Sequence, residues 1–355
     1  MYTSTASNNR RRSRSIGAAA LALTAITALS ACSAGAAADD SAEGSTTDVK
    51  LVLGWYANPE SGGFFAAQDS GLYEEENLDV TIQQGGPTVS GTTIVASGKA
   101  DIGIADAASI ALARQEGIPI VAIAAMYQTN PVGVMVHADS GIESFEDMND
   151  RTWVVQTGNT GADYMQREVG LSFTTQAYQG SIANFLADDS LVQQGWPTNE
   201  VFQAQQAGVE TSFFSYAEAG FNPYNDVVFT SEAYLEENPE AVEAFLAASM
   251  DGWAGYIGDI DVATAANNAL LETNPEQTSE SVWFAWDAQR SFLTDGDGAD
   301  QLGAMSLERW STLVDQLTAL DVLTEEVDPE SLFDASLLPE VAAPDTLPEA
   351  PEGSF

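Results

Sequence analysis

Apolar and polar positions along the chain switch repeatedly between a period near two, typical of strands, and one near 3.6, typical of helices. Lys50–Tyr56 is a short apolar run and predicts a strand, and Phe64, Phe65 and Ala67 predict a helix over Gly62–Ser70 that Gly71 stops. Leu78, Val80 and Ile82 alternate in a strand over Leu78–Gln83. A Gly85-Gly86-Pro87 turn leads to a helix around Ser90–Ser97 and a buried strand over Asp101–Ala105. A helix over Ala107–Glu116 and strands over Ile118–Ala125 and Val132–His137 complete this stretch. Such regular alternation predicts βαβ units and a mainly parallel sheet flanked by helices.

The rhythm restarts after His137. Ile142–Met148 reads as a short helix, Thr152–Gln156 as a strand and Gly161–Val169 as a helix. Val201–Gln206 and Glu210–Tyr216 read as strands, and Val227–Thr230 as a strand that carries the chain back. From Ser231 to about Leu323 the spacing is almost wholly helical, with Val242, Phe245, Leu246, Trp253 and Ile257 as core positions. The expectation is an α/β fold of two lobes joined by two crossings. Residues 48–136 form the first part of lobe 1, 137–228 lobe 2, and 229–337 a helical return to lobe 1. A cleft between lobes is where ligands usually bind.

Both ends depart from this pattern. Arg10, Arg11, Arg12 and Arg14 precede a run from Ile16 to Ala31 rich in Ala, Leu and Ile, with no acid before Asp39. That run is short for a bilayer span, which needs about 20 apolar residues, and suits the core of a signal peptide over 1–31. It closes on Leu29-Ser30-Ala31-Cys32, which matches the lipobox of bacterial lipoproteins; Cys32, the only Cys, is then the lipidation site and membrane anchor. Residues 32–47 read as a flexible tether. Residues 338–355 hold four prolines and four acids with little apolar periodicity, and read as a disordered acidic tail.

Charge narrows the function. Fifty-three acids against eleven Lys plus Arg give a net charge of −42. Removing residues 1–31 takes four cations and no anion, leaving seven cations and a charge of −46. No basic stripe exists to displace counterions from phosphates, so a nucleic-acid partner is excluded. One Cys and one His exclude a disulfide scaffold and a zinc cluster within the body, and no metal or cofactor is implied. A strongly anionic ligand would have few local cations to meet it.

In open α/β sheets, ligands meet the loops after the carboxyl ends of the strands. That rule selects Trp55, Tyr56, Asn58 and Glu60 after the first strand, and Gly85, Gly86, Pro87 and Thr88 after the second. It also selects Asp106 and Ser109, then Tyr127, Gln128 and Asn130, and in lobe 2 Gly158, Asn159 and Thr160. Aromatic faces, amides, carboxylates and hydroxyls without a cation suit a flat, neutral or weakly basic heterocycle. Each has a plainer role too. Asp106 and Asn159 are placed to cap helices, the glycines to form a turn, and Trp283, Phe284 and Trp286 to pack the lobes. His137 reads as a surface or hinge residue. An acid–base enzyme using paired carboxylates and a purely structural surface protein are the rival classes, but no acid pair is singled out by position.

The stretch Lys50–Pro87, with Gly-Trp-Tyr-Ala-Asn-Pro-Glu, Gly-Gly-Phe-Phe-Ala-Ala and Gly-Leu-Tyr-Glu-Glu-Glu-Asn-Leu-Asp-Val, resembles the thiamine-pyrimidine-type solute-binding proteins of ABC importers. Ala96–Asp106, Gln128–Pro131, Gly133–Val136, Val192–Gly195 with Glu200, and Phe221–Tyr224 are similar to further stretches of that family. The resemblance runs from Lys50 to Ile257. It implies a two-lobed type II periplasmic-binding fold that closes on one small molecule and presents it to a membrane permease; together with the lipobox, the expectation is a lipid-anchored extracytoplasmic monomer. It also implies that Trp55 and Tyr56 line the pocket with Asn58, Asp106 and Glu200 near them, Glu200 accepting from a ring amino group. The wider group binds riboflavin, sulfonates or taurine, which stay open as ligands. It also includes fungal enzymes that make the thiamine pyrimidine using His and a Cys-rich motif, which this chain lacks.

Overall fold

A computed structural model describes residues 46–86 and 88–355. The proposed export segment, Cys32, most of the tether and Pro87 lie outside the described residues. The first stretch runs β1 (Thr47–Val52), α1 (Gly62–Asp69), α2 (Leu72–Glu75), β2 (Leu78–Gln83), α3 (Gly91–Ala96), β3 (Ile102–Ala105), α4 (Ala107–Gln115) and β4 (Ile120–Tyr127). The second runs β5 (Gly133–His137), β6 (Thr152–Val155), α5 (Thr160–Arg167), β7 (Thr174–Ala177), α6 (Ala183–Ala187), β8 (Leu191–Gly195), α7 (Glu200–Gln206) and β9 (Thr211–Ser215). The return consists of β10 (Asn225–Ser231), α8 (Glu232–Glu237), α9 (Pro239–Gly258), α10 (Ile260–Thr273), α11 (Ser279–Thr294) and α12 (Leu307–Ala319).

Two five-stranded sheets form, in the orders β2-β1-β3-β10-β4 and β7-β6-β8-β5-β9. In the first, only β10 runs against its neighbours; in the second, only β5 does. These are the two strands that arrive from the other lobe, so each crossing enters its new sheet as the odd-direction strand. Val49, Leu51 and Leu53 face one core and Val52 faces the other, the period-two arrangement of a sheet covered by helices on both sides. The outer edge of β4 is covered as well: Ala122 N–H donates to Leu332 O (2.9 Å), Asp334 N–H to Ala122 O (2.8 Å) and Ala125 N–H to Gly303 O (2.9 Å). A covered edge cannot template pairing with another chain.

The Gly62-Gly63 pair has a packing cause. A Cβ on Gly63 would lie 2.1 Å from the Trp253 ring, and one on Gly62 2.1 Å from Tyr256. Helix α1 therefore approaches α9 more closely than any side chain at these positions would allow. Phe64 completes the contact, standing edge-on to Trp253 at 5.7 Å.

The structure moves several expected boundaries. Val132–His137 was expected to end lobe 1, but β5 belongs to the second sheet, so the first crossing falls at residues 128–132. Val227–Thr230 falls in the first sheet, and the second crossing at 222–224 precedes it. Val201–Gln206 is the helix α7, not a strand; six residues with Val201, Phe202 and Ala204 apolar fit either period, and the Ala and Gln content favours helix. The helical return is not confined to lobe 1, because Leu320 after α12 is buried in the core of lobe 2.

Residues 338–355 are not disordered. Four prolines keep them from forming a helix or strand, yet Leu338, Val341, Ala343 and Ala350 pack on the main core of lobe 1. Leu302 N–H donates to Val341 O (2.8 Å) and Ala343 N–H to Ala299 O (3.2 Å). Among the described residues no helix is long and apolar enough to cross a membrane.

Candidate ligand-binding cleft

The loops after β1 and β2 hold each other. Gly85 N–H donates to Trp55 O (2.8 Å), and a Cβ on Gly85 would meet Leu53 O at 2.1 Å. Gly86 takes a φ of 142°, in the region that disfavours side chains, beside the Tyr56 ring. Ala57 N–H donates to Gln84 Oε1 (2.9 Å). This frame presents Trp55 and Tyr56 edge-to-face at 5.7 Å while leaving them 41% and 46% exposed. Two large rings uncovered on a braced loop are a ready stacking surface.

Several expected site residues are committed to local structure. Asn58 caps the turn that follows it, accepting from Glu60 N–H (3.0 Å). Asp106 caps α4, accepting from Ser109 N–H (2.9 Å) and its hydroxyl (2.6 Å). Asn159 caps α5 through Ala162 N–H (2.7 Å) and donates to Gln194 Oε1 (3.0 Å).

Gln128 and Asn130 are buried in the hinge. Gln128 Nε2 donates to Ala125 O (2.8 Å) and Ala304 O (2.9 Å), and its Oε1 accepts from Arg309 (3.2 Å). Asn130 accepts from Val132 N–H (2.9 Å) and donates to Pro223 O (3.1 Å), while its own N–H donates to Asn222 Oδ1 (2.7 Å). The Asn130 bonds tie one crossing to the other and those of Gln128 hold the first crossing to lobe 1, so both amides are spent on local structure. His137 is away from the hinge, at the end of β5, with Nε2 2.9 Å from Phe185 O.

Burial raises the pKa of three carboxyls, Glu60 and Asp226 of lobe 1 and Glu200 of lobe 2. Glu200, 5% exposed at the start of α7, accepts from Trp196 N–H (2.8 Å), Tyr178 Oη (2.8 Å) and Asn199 Nδ2 (3.1 Å). Burial raises its pKa, and these donors oppose the rise. Burial pushes Glu60 up to about 7; the Asn58 hydrogen bond lowers it and the charge of Glu200 raises it further. Asp226, at the second crossing, is raised well above the usual carboxylate range by burial and then by Glu60 and Asp106. Its Oδ2 is shut from solvent with no hydrogen-bond partner, and its φ is +47°. The charges acting on Glu60 and Asp226 are those of other carboxyls.

Neutral side chains connect these acids. Tyr127 Oη donates to Gln289 Oε1 (2.6 Å), and Gln289 Nε2 donates to Pro59 O (2.9 Å), next to Glu60. The Tyr127 ring lies 6.3 Å from Trp196 of lobe 2, and Asn225, beside Asp226, pairs with Tyr127 across the sheet. A second contact joins Phe202 of α7 to Phe284 of α11 at 4.7 Å. The lobes are thus in contact. Among the described residues no group of three or more His, Cys, Asp or Glu is arranged to hold a metal ion.

A family model described as NMT1/THI5 like matches residues 58–263, more than half of the chain. The chain belongs to that family. A formylaminopyrimidine-binding protein of Halalkalibacterium halodurans is 26% identical over 312 residues, covering 84% of this chain and 92% of that protein. A riboflavin-binding protein of Chloroflexus aurantiacus is 24% identical over 331 residues, covering 86% and 90%. The solved periplasmic aliphatic sulphonate binding protein of Escherichia coli superposes with a TM-score of 0.62 at 14% identity, covering 81% of this chain and 98% of that one. That likeness shows the two-lobed periplasmic-binding fold. A 4-amino-5-hydroxymethyl-2-methylpyrimidine phosphate synthase of Candida albicans is 24% identical over 229 residues, covering 58% of this chain and 66% of that protein.

Within this NMT1/THI5-like chain, Trp55 and Tyr56 are the expected site residues that stay uncovered, while Glu200 is buried with its oxygens accepting from Trp196, Tyr178 and Asn199. Asp226 was missed by the loop rule because it starts a strand instead of following one; its place at the second crossing was the available signal. Glu60 lay on a selected loop, but its burial against an acid 140 positions away is a property of the fold alone.

Proposed function

We propose that the protein is the solute-binding component of an ABC importer, closing two lobes over a flat, amino-bearing heterocycle of the thiamine-pyrimidine type. The observation that carries this reading is the exposed Trp55–Tyr56 ring pair on the lobe 1 loop that leads to Glu60, whose carboxyl feels the charge of the buried Glu200 of lobe 2. The rings supply stacking faces; Glu60, Glu200 and Asp226 supply acceptors for amino groups or a protonated ring nitrogen. In the empty closed form Glu60 and Glu200 repel. A donor placed between them removes that cost, giving the ligand the differential affinity for the closed form that any population shift requires.

The affinity demanded is modest. Micromolar binding is about −8 kcal/mol, or roughly −0.8 kcal/mol per atom for a ligand of about ten heavy atoms, below the ceiling near −1.5 for very small ligands. A sulfonate would instead meet like charge with no guanidinium to receive it. We read the chain as a binder and not a synthase: its single His is held at Phe185 in lobe 2, and its single Cys is Cys32. Residues 1–31 direct export, and a lipid on Cys32 tethers the protein, as a monomer, to the outer face of the membrane where its permease lies.

Calorimetric titration with 4-amino-5-hydroxymethyl-2-methylpyrimidine, formylaminopyrimidine, riboflavin and taurine tests this reading. Binding of an aminopyrimidine without turnover supports it. Binding of taurine alone, or conversion of any of these compounds, overturns it.

A further inference from the structure

Residues 338–355 return along lobe 1 and end beside the contact between the lobes. Three features hold them there without regular structure. Gln301 Nε2 donates to Pro339 O (3.0 Å). Pro344 packs on Gly258, where a Cβ would lie 2.5 Å from its ring. Arg290 donates to Pro348 O (2.5 Å), pairs with Asp287 and lies 4.2 Å over the Trp286 ring. Residues 347–355 and the α11 side chains Asp287 and Arg290 line a recess of about 360 Å³.

Phe355, 52% exposed, stands edge-on to Phe284 at 5.5 Å. Phe284 is also the side chain on which Phe202 of lobe 2 rests, at 4.7 Å. One half-buried ring thus carries the 338–355 segment on one side and the opposite lobe on the other. Helix α11 extends this connection into the cleft, since its Gln289 bonds Tyr127 and its Phe292 packs on the same ring at 5.9 Å.

We propose that residues 345–355 form a strap that favours the closed arrangement of the lobes by holding Phe284 against Phe202 through Phe355. The strap fixes the rotamer of Phe284 before lobe 2 arrives, so closure orders one fewer side chain. Its anchors all lie on lobe 1, so it does not impede opening by spanning the cleft.

The inference rests on lobes that open and close, and its test uses no ligand, so its failure is distinct from an error about the cargo. Fluorescence transfer between dyes at Lys99→Cys and Glu168→Cys, in the full chain carrying Cys32→Ser, reports the closed-to-open ratio. Phe355→Ala, at an exposed ring, is expected to lower that ratio by about two- to ten-fold, the range for an aromatic pair. A chain stopped after Pro344 should match it. Phe202→Ala should also lower the ratio, and adding Phe355→Ala to it should change nothing further, because the shared route is already lost. An unchanged ratio in Phe355→Ala overturns the proposal, as does a Phe355→Ala effect that persists in full alongside Phe202→Ala.

Discussion

Glu60 of lobe 1 feels the charge of Glu200 of lobe 2: burial, against the Asn58 hydrogen bond and with that charge, holds the Glu60 carboxyl near 7. Two carboxyls brought together without a cation make the empty closed cleft an electrostatically costly place. That cost is largest when both are ionised and falls when a proton or a ligand donor enters.

The pH dependence of stability follows with a definite sign. Glu60 takes up its proton near 7 in the folded protein against 4.5 when unperturbed, so between those values the folded state binds more protons than the unfolded one. Stability contributed by this group is therefore full below the unperturbed value and is lost as pH rises through about 7. Glu60→Gln should remove the loss. Thermal melts of the ligand-free protein should show Glu60→Gln more stable than the parent by about 2–3 kcal/mol at about pH 8 and nearly equal to it at about pH 4. Equal melting temperatures at both pH values would contradict the assignment.

Asn130→Ala tests the hinge. The change leaves Val132 N–H and Pro223 O without their buried partner, a loss of about 1–3 kcal/mol. Chemical denaturation should show that loss. Scattering from the ligand-free protein should show a wider spread of lobe separations, because only the backbone bond from residue 130 to Asn222 still ties the two crossings. A melting point and scattering profile identical to the parent would remove Asn130 from the hinge.

Gly63→Val tests the close approach of α1 to α9. Its side chain would enter the Trp253 ring, and overpacking of this kind costs about 1–3 kcal/mol or more. A urea midpoint lowered accordingly is expected; an unchanged one would mean that the helices separate freely.

Much of lobe 1 was legible in the sequence because its strands carry the burial pattern themselves: β2 alternates Leu78, Val80 and Ile82, and β4 is apolar at nearly every position and buried at all eight. Lobe 2 was less legible for the converse reason. β7 reads Thr-Thr-Gln-Ala with every position exposed, and β8 buries two glutamines, so neither shows the period of a strand. The 338–355 segment packs through isolated side chains that no periodicity announces. In the cleft, Trp55, Tyr56 and Glu200 were recoverable from loop position and family likeness. The coupling of Glu60 to Glu200 and Asp226 was not, since hydrogen bonding and burial among residues so far apart in sequence exist only after folding.

The account depends most on the aromatic pair, and one titration addresses it directly. Calorimetry with an aminopyrimidine should show affinity falling by about 30-fold or more in the Trp55→Ala, Tyr56→Ala double variant, given about 1–3 kcal/mol for each ring stacked on a base. Because both rings are exposed in the ligand-free protein, the melting temperature should stay unchanged. Affinity equal to that of the parent, with the fold intact, would contradict the claim that the cleft grips its cargo by the faces of these two rings.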